Sequence, residues 1–127
     1  MLAPRPEEQP VVLLVEDEPL VRMTAVDELE DAGFRVLEAA NADIALLVLE
    51  TCSDEVQVLF TDVDMPGSMN GMALAEQVFA RWPHIRLLIS SGYACPDPDE
   101  IPDHGRFIPK PYHPATLVRQ IHDMIRA

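Results

Sequence analysis

The chain is poor in positive charge: nine Lys and Arg stand against 22 Asp and Glu in 127 residues, for a formal net charge of -13. Phosphate backbones are held by clustered Lys and Arg, so this balance argues against binding nucleic acid. It has only two cysteines, Cys52 and Cys95, with neither metal-ligand spacing nor an accompanying histidine pattern, which leaves no thiolate metal site and no disulfide framework. No apolar run approaches the roughly 18 residues that a membrane span requires. The opening residues, with Pro4, Pro6, Glu7, Glu8 and Pro10, lack the basic-then-apolar layout of a signal peptide. A cytoplasmic protein with no membrane partner is expected. Aromatics make up 6% of the chain and glycines number five, but an apolar fraction of 48% suffices for one core. Lysine is the scarcest charged residue: eight of the nine basic residues are arginine, and the single lysine, Lys110, stands between Pro109 and Pro111.

What is present alternates. Val11-Val12-Leu13-Leu14-Val15 is a β-branched apolar run that stops at Glu16-Asp17-Glu18, the pattern of a buried parallel strand ending in polar groups. Pro19 suits a helix first turn, Val21, Ala25 and Leu29 recur at four-residue spacing, and Gly33 supplies the stop. Phe34 to Glu38 reads as a second strand. Asn41 can cap a helix from Ala42 to about Cys52, and Val56 to Thr61 is a third strand ending at Asp62. The Pro-, Gly-, Ser- and Asn-rich stretch from Asp62 to Gly71 is a loop, followed by a helical face of Met72, Ala75, Val78, Phe79 and Trp82 that Pro83 closes. Ile85 to Ser90 is a fourth strand and Arg106-Phe107-Ile108 a short fifth. Pro114 can start a last helix with Leu117, Val118, Ile121 and Ile125 on its apolar stripe. Between strands four and five the pattern fails, because Pro96, Pro98 and Pro102 each cost about 3 kcal/mol inside a helix, leaving room for a short turn at most.

Strands alternating with helices imply an α/β fold with a parallel sheet wrapped on both faces, whose ligand site lies at the carboxyl ends of the strands. Those ends carry Glu16 and Asp17, Asp62, Ser90 and Ser91, and Lys110. Carboxylates about 4 Å apart repel by roughly 1 kcal/mol in water and about 4 kcal/mol at an effective dielectric of 20, so a cation belongs among them. Hard oxygen donors suit Mg²⁺, which is held by one or two carboxylates together with phosphate oxygens. Lys110 offers a point charge to a phosphate oxygen and Ser90 a hydroxyl donor, with Ser91 beside it as a further phosphoryl-binding group. Asp62, at the end of a central strand, is the candidate nucleophile: in-line attack on a phosphoryl group yields an acyl phosphate, and the carboxylate is already ionised at neutral pH.

Glu16-Asp17 after an apolar strand, Asp62 in Leu-Phe-Thr-Asp-Val-Asp-Met-Pro-Gly, Ser90 after Leu-Leu-Ile, and Lys110-Pro111 after Phe-Ile-Pro together resemble the response-regulator receiver family. The resemblance runs from about Val11 to the C-terminus. It implies a doubly wound five-stranded parallel sheet of flavodoxin-like order 2-1-3-4-5, here with a degenerate fourth helix. A disordered tail over 1–9 and a receiver domain over 10–127 are expected. The resemblance implies Asp62 as phosphoacceptor, Glu16, Asp17, Asp62 and the backbone carbonyl of Asp64 as Mg²⁺ ligands, Lys110 as phosphoryl ligand, Ser90 and Phe107 as the switch pair, and a cis Lys110-Pro111 bond. It also implies a histidine kinase or histidine phosphotransferase as donor, an unidentified downstream protein, a monomer or weak dimer, and no enzymatic activity beyond Mg-dependent self-phosphorylation and self-dephosphorylation. Ile89-Ser90-Ser91-Gly92-Tyr93 is similar to receivers of hybrid kinases or stand-alone regulators, and the chain reads as having no output domain of its own.

Two other readings compete. Asp62-Val63-Asp64 also resembles the Asp-x-Asp nucleophile of haloacid dehalogenase-type phosphohydrolases, although that motif normally opens its chain and Glu16-Asp17 precedes it here. The Pro-rich Cys95 to Asp103 stretch raises a receiver that binds partners without phosphorylation. His84, His104, His113 and His122 read as surface or capping residues, and Met65, Met69 and Met72 as packing rather than a soft-metal site.

Overall fold

The computed structural model describes residues 9–67, 69–92, 96, 98–102 and 105–126. The N-terminal tail, Tyr93, Cys95 and His104 lie outside the described residues. β1 (Val11–Val15), β2 (Arg35–Ala39), β3 (Val56–Asp62), β4 (Arg86–Ser91) and β5 (Arg106–Pro109) form one sheet of order β2-β1-β3-β4-β5. All four pairings are parallel, as strands joined through helices require. The helices are α1 (Pro19–Asp31), α2 (Ala42–Cys52), α3 (Gly71–Arg81) and α4 (Pro114–Arg126).

Strand alternation divides the core in two. Leu13, Val15, Leu59, Leu87 and Ile89 face α2 and α3, where Ala45, Leu49, Leu74, Ala75 and Val78 meet them. Val12, Leu14, Val58, Phe60, Leu88 and Ile108 face α1 and α4, against Ala25, Leu29, Leu117, Ile121 and Met124. Each large aliphatic side chain so buried contributes roughly 1.5–3 kcal/mol of transfer free energy. The chain turns one way from β1 to β2 and the other way to β3. The crevice above β1 and β3 is therefore the topological switch point, and Glu16, Asp17 and Asp62 stand over it.

Local chemistry explains the element ends. The Asn41 side chain accepts from the Ile44 amide at 2.9 Å and caps α2 as expected. Asn70 does the same for α3 from the Ala73 amide at 3.0 Å. Gly33, at φ 98°, closes α1: its amide donates to Glu30 O and that of Phe34 to Leu29 O, satisfying the last carbonyls of the helix. Phe34 belongs to this closure, with its ring 2% exposed in the α1/α4 core, so the second strand begins one residue later than its apolar pattern suggests. Trp82 leaves helical backbone, with φ -137° and ψ 71°, before Pro83, whose ring disfavours helical backbone in the preceding residue.

The expected core stripes of two helices change. On α3 the buried stripe is Leu74, Ala75 and Val78, and Phe79 is 39% exposed, because helix rotation places it on the rim while Leu74 points at the sheet. On α4 Met124 joins Leu117 and Ile121 inside, and Val118 and Ile125 pack only partly. Between β4 and β5, where a degenerate fourth helix is expected, the described residues hold a three-residue 3-10 turn, Pro98–Glu100, followed by Ile101, which is buried against the α2/α3-side core.

Candidate functional site at the carboxyl edge of the sheet

Carboxylate oxygens of Glu16, Asp17 and Asp62 lie within 4.8 Å of one another, at the ends of β1 and β3. Lys110 reaches them from the end of β5: its Nζ donates to Glu16 Oε1 at 2.7 Å and to Asp62 Oδ2 at 3.0 Å. The Lys110-Pro111 bond is cis, as expected. The Lys110 amide also donates to Ser91 O at 3.0 Å, tying the lysine to the end of β4. One ammonium against three carboxylates leaves a net charge of minus two, which a divalent cation would neutralise. The donors are all oxygen, two of the three carboxylates are buried, and Asp17 is more accessible. That donor set fits Mg²⁺ rather than a soft metal.

Burial raises the Glu16 carboxyl above the usual carboxylate range, opposed by the hydrogen bond from Lys110 and the Glu18 amide at 3.3 Å. Burial alone would lower the Lys110 ammonium, but its bonds to Glu16 and Asp62 outweigh this and hold it firmly protonated. The Tyr112 phenol is raised by its own burial, with Lys110 pulling it down and Glu16 and Asp62 pushing it up. Its ring meets Phe60 edge-on at 5.7 Å. Beside the cluster opens a groove of about 810 Å³ between α1 and α4, lined among others by Leu20, Thr24, Glu28, Pro111 and Tyr112.

Three supports escape a reading of the sequence alone. Arg22 Nη1 donates to Glu16 O at 2.7 Å while its Nε pairs with Glu38 at 3.4 Å, so α1 clamps the end of β1. The Asp64 amide donates to Asp62 Oδ1 at 3.2 Å, which orients the Asp62 carboxylate. Gly71, at the first turn of α3, lies flat against β3, so close that a Cβ there would overlap the carbonyl oxygen of Asp62. In the linear pattern Gly71 reads only as loop.

The two serines separate. Ser90 pairs with Asp62 on one side and Ile108 on the other, so it faces the α1/α4 core, where it is 1% exposed and its Oγ has no hydrogen-bond partner among the described residues. Phe107 pairs with Ile89 and packs on the opposite side of the sheet. Strand alternation therefore puts Ser90 and Phe107, the expected switch pair, on different faces of the sheet. Ser91 shares the face of Phe107, and its hydroxyl donates to Asp64 Oδ2 at 2.5 Å.

The described histidines are engaged elsewhere. His84 Nε2 meets Ser53 O at 2.8 Å, His113 Nδ1 accepts from the Ala115 amide at 3.1 Å, and His122 packs on Phe34 with ring centroids 4.7 Å apart. Met65 is buried in the α2/α3-side core and Met69 and Met72 pack against it. Among the described residues no helix is long and apolar enough to cross a membrane.

The site and fold have counterparts. A family model for the response regulator receiver domain matches residues 12–122. The chain is 36% identical over 117 residues to the sensor kinase CckA of Brucella abortus, an alignment covering 90% of the chain and 12% of the kinase. It is 32% identical over 120 residues to the response regulator receiver protein CpdR of the same organism, covering 91% of the chain and 97% of that protein. The crystal structure of the receiver domain from the hybrid histidine kinase CckA superposes with a TM-score of 0.80 at 30% identity, over 91% of this chain and 98% of that one. A response regulator receiver protein from Sinorhizobium medicae shares the fold with a TM-score of 0.85 at 23% identity, over 94% and 97%. The chain belongs to the response regulator receiver family: it is a receiver domain of two-component signalling, and the dehalogenase-type reading is set aside.

Proposed function

We propose that Asp62 accepts a phosphoryl group from the phosphohistidine of a histidine kinase or histidine phosphotransferase, and that the acyl phosphate alters how the domain meets a downstream protein. The observation that carries this reading is Lys110 Nζ, which bridges Glu16 Oε1 and Asp62 Oδ2 at the edge where three carboxylates converge. Glu16, Asp17, Asp62 and the backbone carbonyl of Asp64 are the residues to hold Mg²⁺. When bound, the ion would supply charge neutralisation at the phosphoryl oxygens.

The rest is done by the chain. The Asp64 amide fixes one oxygen of Asp62 and leaves the other toward Lys110. On phosphorylation the ammonium moves its donors from carboxylate to phosphoryl oxygen, and the Ser91 hydroxyl supplies a second donor. Phe107, on the same face as Ser91, then repacks by shape alone, since it has no hydroxyl to hydrogen-bond. The groove between α1 and α4, with Leu20 73% exposed at its α1 side, is the surface on which the donor would dock. Self-phosphorylation and self-dephosphorylation are the only reactions assigned, and a cytoplasmic monomer or weak dimer is the working state.

Incubation with Mg²⁺ and a small-molecule phosphodonor should give an acid-stable, base-labile phosphoryl adduct on Asp62, absent from Asp62→Asn and from protein held in chelator. An adduct that survives Asp62→Asn, or none in the wild type, would overturn the reading.

A further inference from the structure

The hydrogen bond between Ser91 and Asp64 has a consequence beyond orientation. A serine hydroxyl has one proton to give, and here Oγ gives it to a carboxylate oxygen at 2.5 Å, a short charge-assisted bond. The same residue, through its backbone amide, holds Asp62 Oδ1 at 3.2 Å. Asp64 therefore touches both the acceptor carboxylate and the hydroxyl that must serve it, while its own side chain stands exposed at the rim of the site. Ser91 is 2% exposed, so its hydroxyl exchanges a protein acceptor rather than water when it turns.

We propose that the Asp64 side chain is a positioning residue that retains the Ser91 hydroxyl in the unphosphorylated state, so that the domain adopts its phosphorylated arrangement only when the phosphoryl oxygens outcompete the Asp64 carboxylate for that proton. This rests on the reading of Ser91 as a phosphoryl-binding hydroxyl. Asp64 thereby sets the threshold of the switch from a position that forms no bond to the phosphoryl group. Its charge also repels a phosphoryl group directly, and the two effects separate because only the first passes through Ser91.

The test is a double-mutant cycle of Asp64→Ala and Ser91→Ala, with calorimetric titration of beryllofluoride, a phosphoryl mimic, in excess Mg²⁺. Breaking a charge-assisted hydrogen bond changes an equilibrium by roughly tenfold or more. The tightening caused by Asp64→Ala should therefore be at least about tenfold larger when Ser91 is present than in the Ser91→Ala background. Asp64→Asn, which keeps an acceptor oxygen but not the charge, should fall between wild type and Asp64→Ala. Equal tightening in both backgrounds would assign the whole effect to charge repulsion and overturn the proposal, as would no tightening in either. Beryllofluoride binding that persists in Asp62→Asn would instead show that the site itself is misread.

Discussion

Replacing Gly71 by alanine tests how tightly Asp62 is held from behind. The added Cβ would overlap Asp62 O and stand 2.7 Å from Asp62 C and 2.9 Å from Val63 Cα. All three are backbone atoms of the segment that presents the Asp62 carboxylate, so no side chain can swing aside, and α3 or the end of β3 must move by about 1 Å to restore ordinary contact. Overpacking of this kind costs typically 1–3 kcal/mol. Alanine is the better helix former by up to about 1 kcal/mol, but less at a first-turn position. The net expectation is a loss of about 2 kcal/mol, which for a domain of this size lowers Tm by roughly 5–10 °C. The Gly71 amide also donates to Val63 O at 3.1 Å, so the displacement passes directly into the acceptor strand. A shift near 1 Å in a reacting group can cost on the order of 100-fold in rate. Thermal unfolding beside adduct formation from a small-molecule phosphodonor measures both effects. Gly92→Ala is the control: its nearest neighbour would be Lys110 Cβ at 3.8 Å, and a change within about 0.5 kcal/mol is expected. A Gly71→Ala protein as stable as Gly92→Ala, with wild-type adduct yield, would refute the close-packing argument.

Other substitutions probe single contacts. Ser90→Ala removes a buried hydroxyl that has no partner among the described residues, so urea unfolding should show unchanged or higher stability, by up to about 1 kcal/mol, and adduct lifetime should not change; a shorter lifetime would return the phosphoryl role to Ser90. Leu74→Ala should cost about 2–5 kcal/mol and Phe79→Ser less than about 1, the reverse of what the larger size of phenylalanine suggests; equal losses would show that the α3 stripe is misplaced. Lys110→Met leaves Glu16 and Asp62 facing one another without their ammonium, so Mg²⁺ should bind about tenfold more tightly by calorimetry while adduct formation collapses; unchanged Mg²⁺ affinity would mean that lysine and metal do not share the cluster.

Much of the fold follows from patterns that are local in the chain. β1 announces itself because five apolar residues end abruptly in three acids, and α2 because Asn41 supplies its own cap. The sheet-edge residues Glu16, Asp17, Asp62 and Lys110 are legible for the same reason: each directly follows or ends a strand, and a parallel sheet gathers such ends on one edge. What escapes depends on phase. The choice between Ser90 and Ser91 is a choice of one residue along β4, and with a period of two such a step moves a side chain to the opposite face. Resemblance identifies the strand but not its phase, which the pairing of Ser90 with Ile108 and the packing of Phe107 on the opposite face supply. Phe79 departs from its expected place for a related reason: Met72, Ala75 and Phe79 fit a helical period on paper, but the sheet meets α3 along Leu74, Ala75 and Val78. Gly71 and the clamp of Arg22 on Glu16 are invisible in the sequence because the groups they meet are backbone, and a backbone leaves no trace in residue identity.

The single lysine makes sense once the edge is assembled. A partly buried ion cluster is weak evidence for stability, because desolvation offsets most of the attraction between its members. Eight arginines are available to this chain, yet none is placed here among the described residues. An arginine fork would lock onto one carboxylate bidentately, whereas a lysine ammonium can hold Glu16 and Asp62 together and release either without losing a fixed geometry. Arg22, by contrast, is a static clamp that pins the carbonyl of Glu16 and pairs with Glu38 well away from the acceptor. The division follows from the chemistry of the two cations. Under the proposed phosphorylation of Asp62, the group that would change partners is the flexible point charge, and the group that keeps the strand end still is the planar fork.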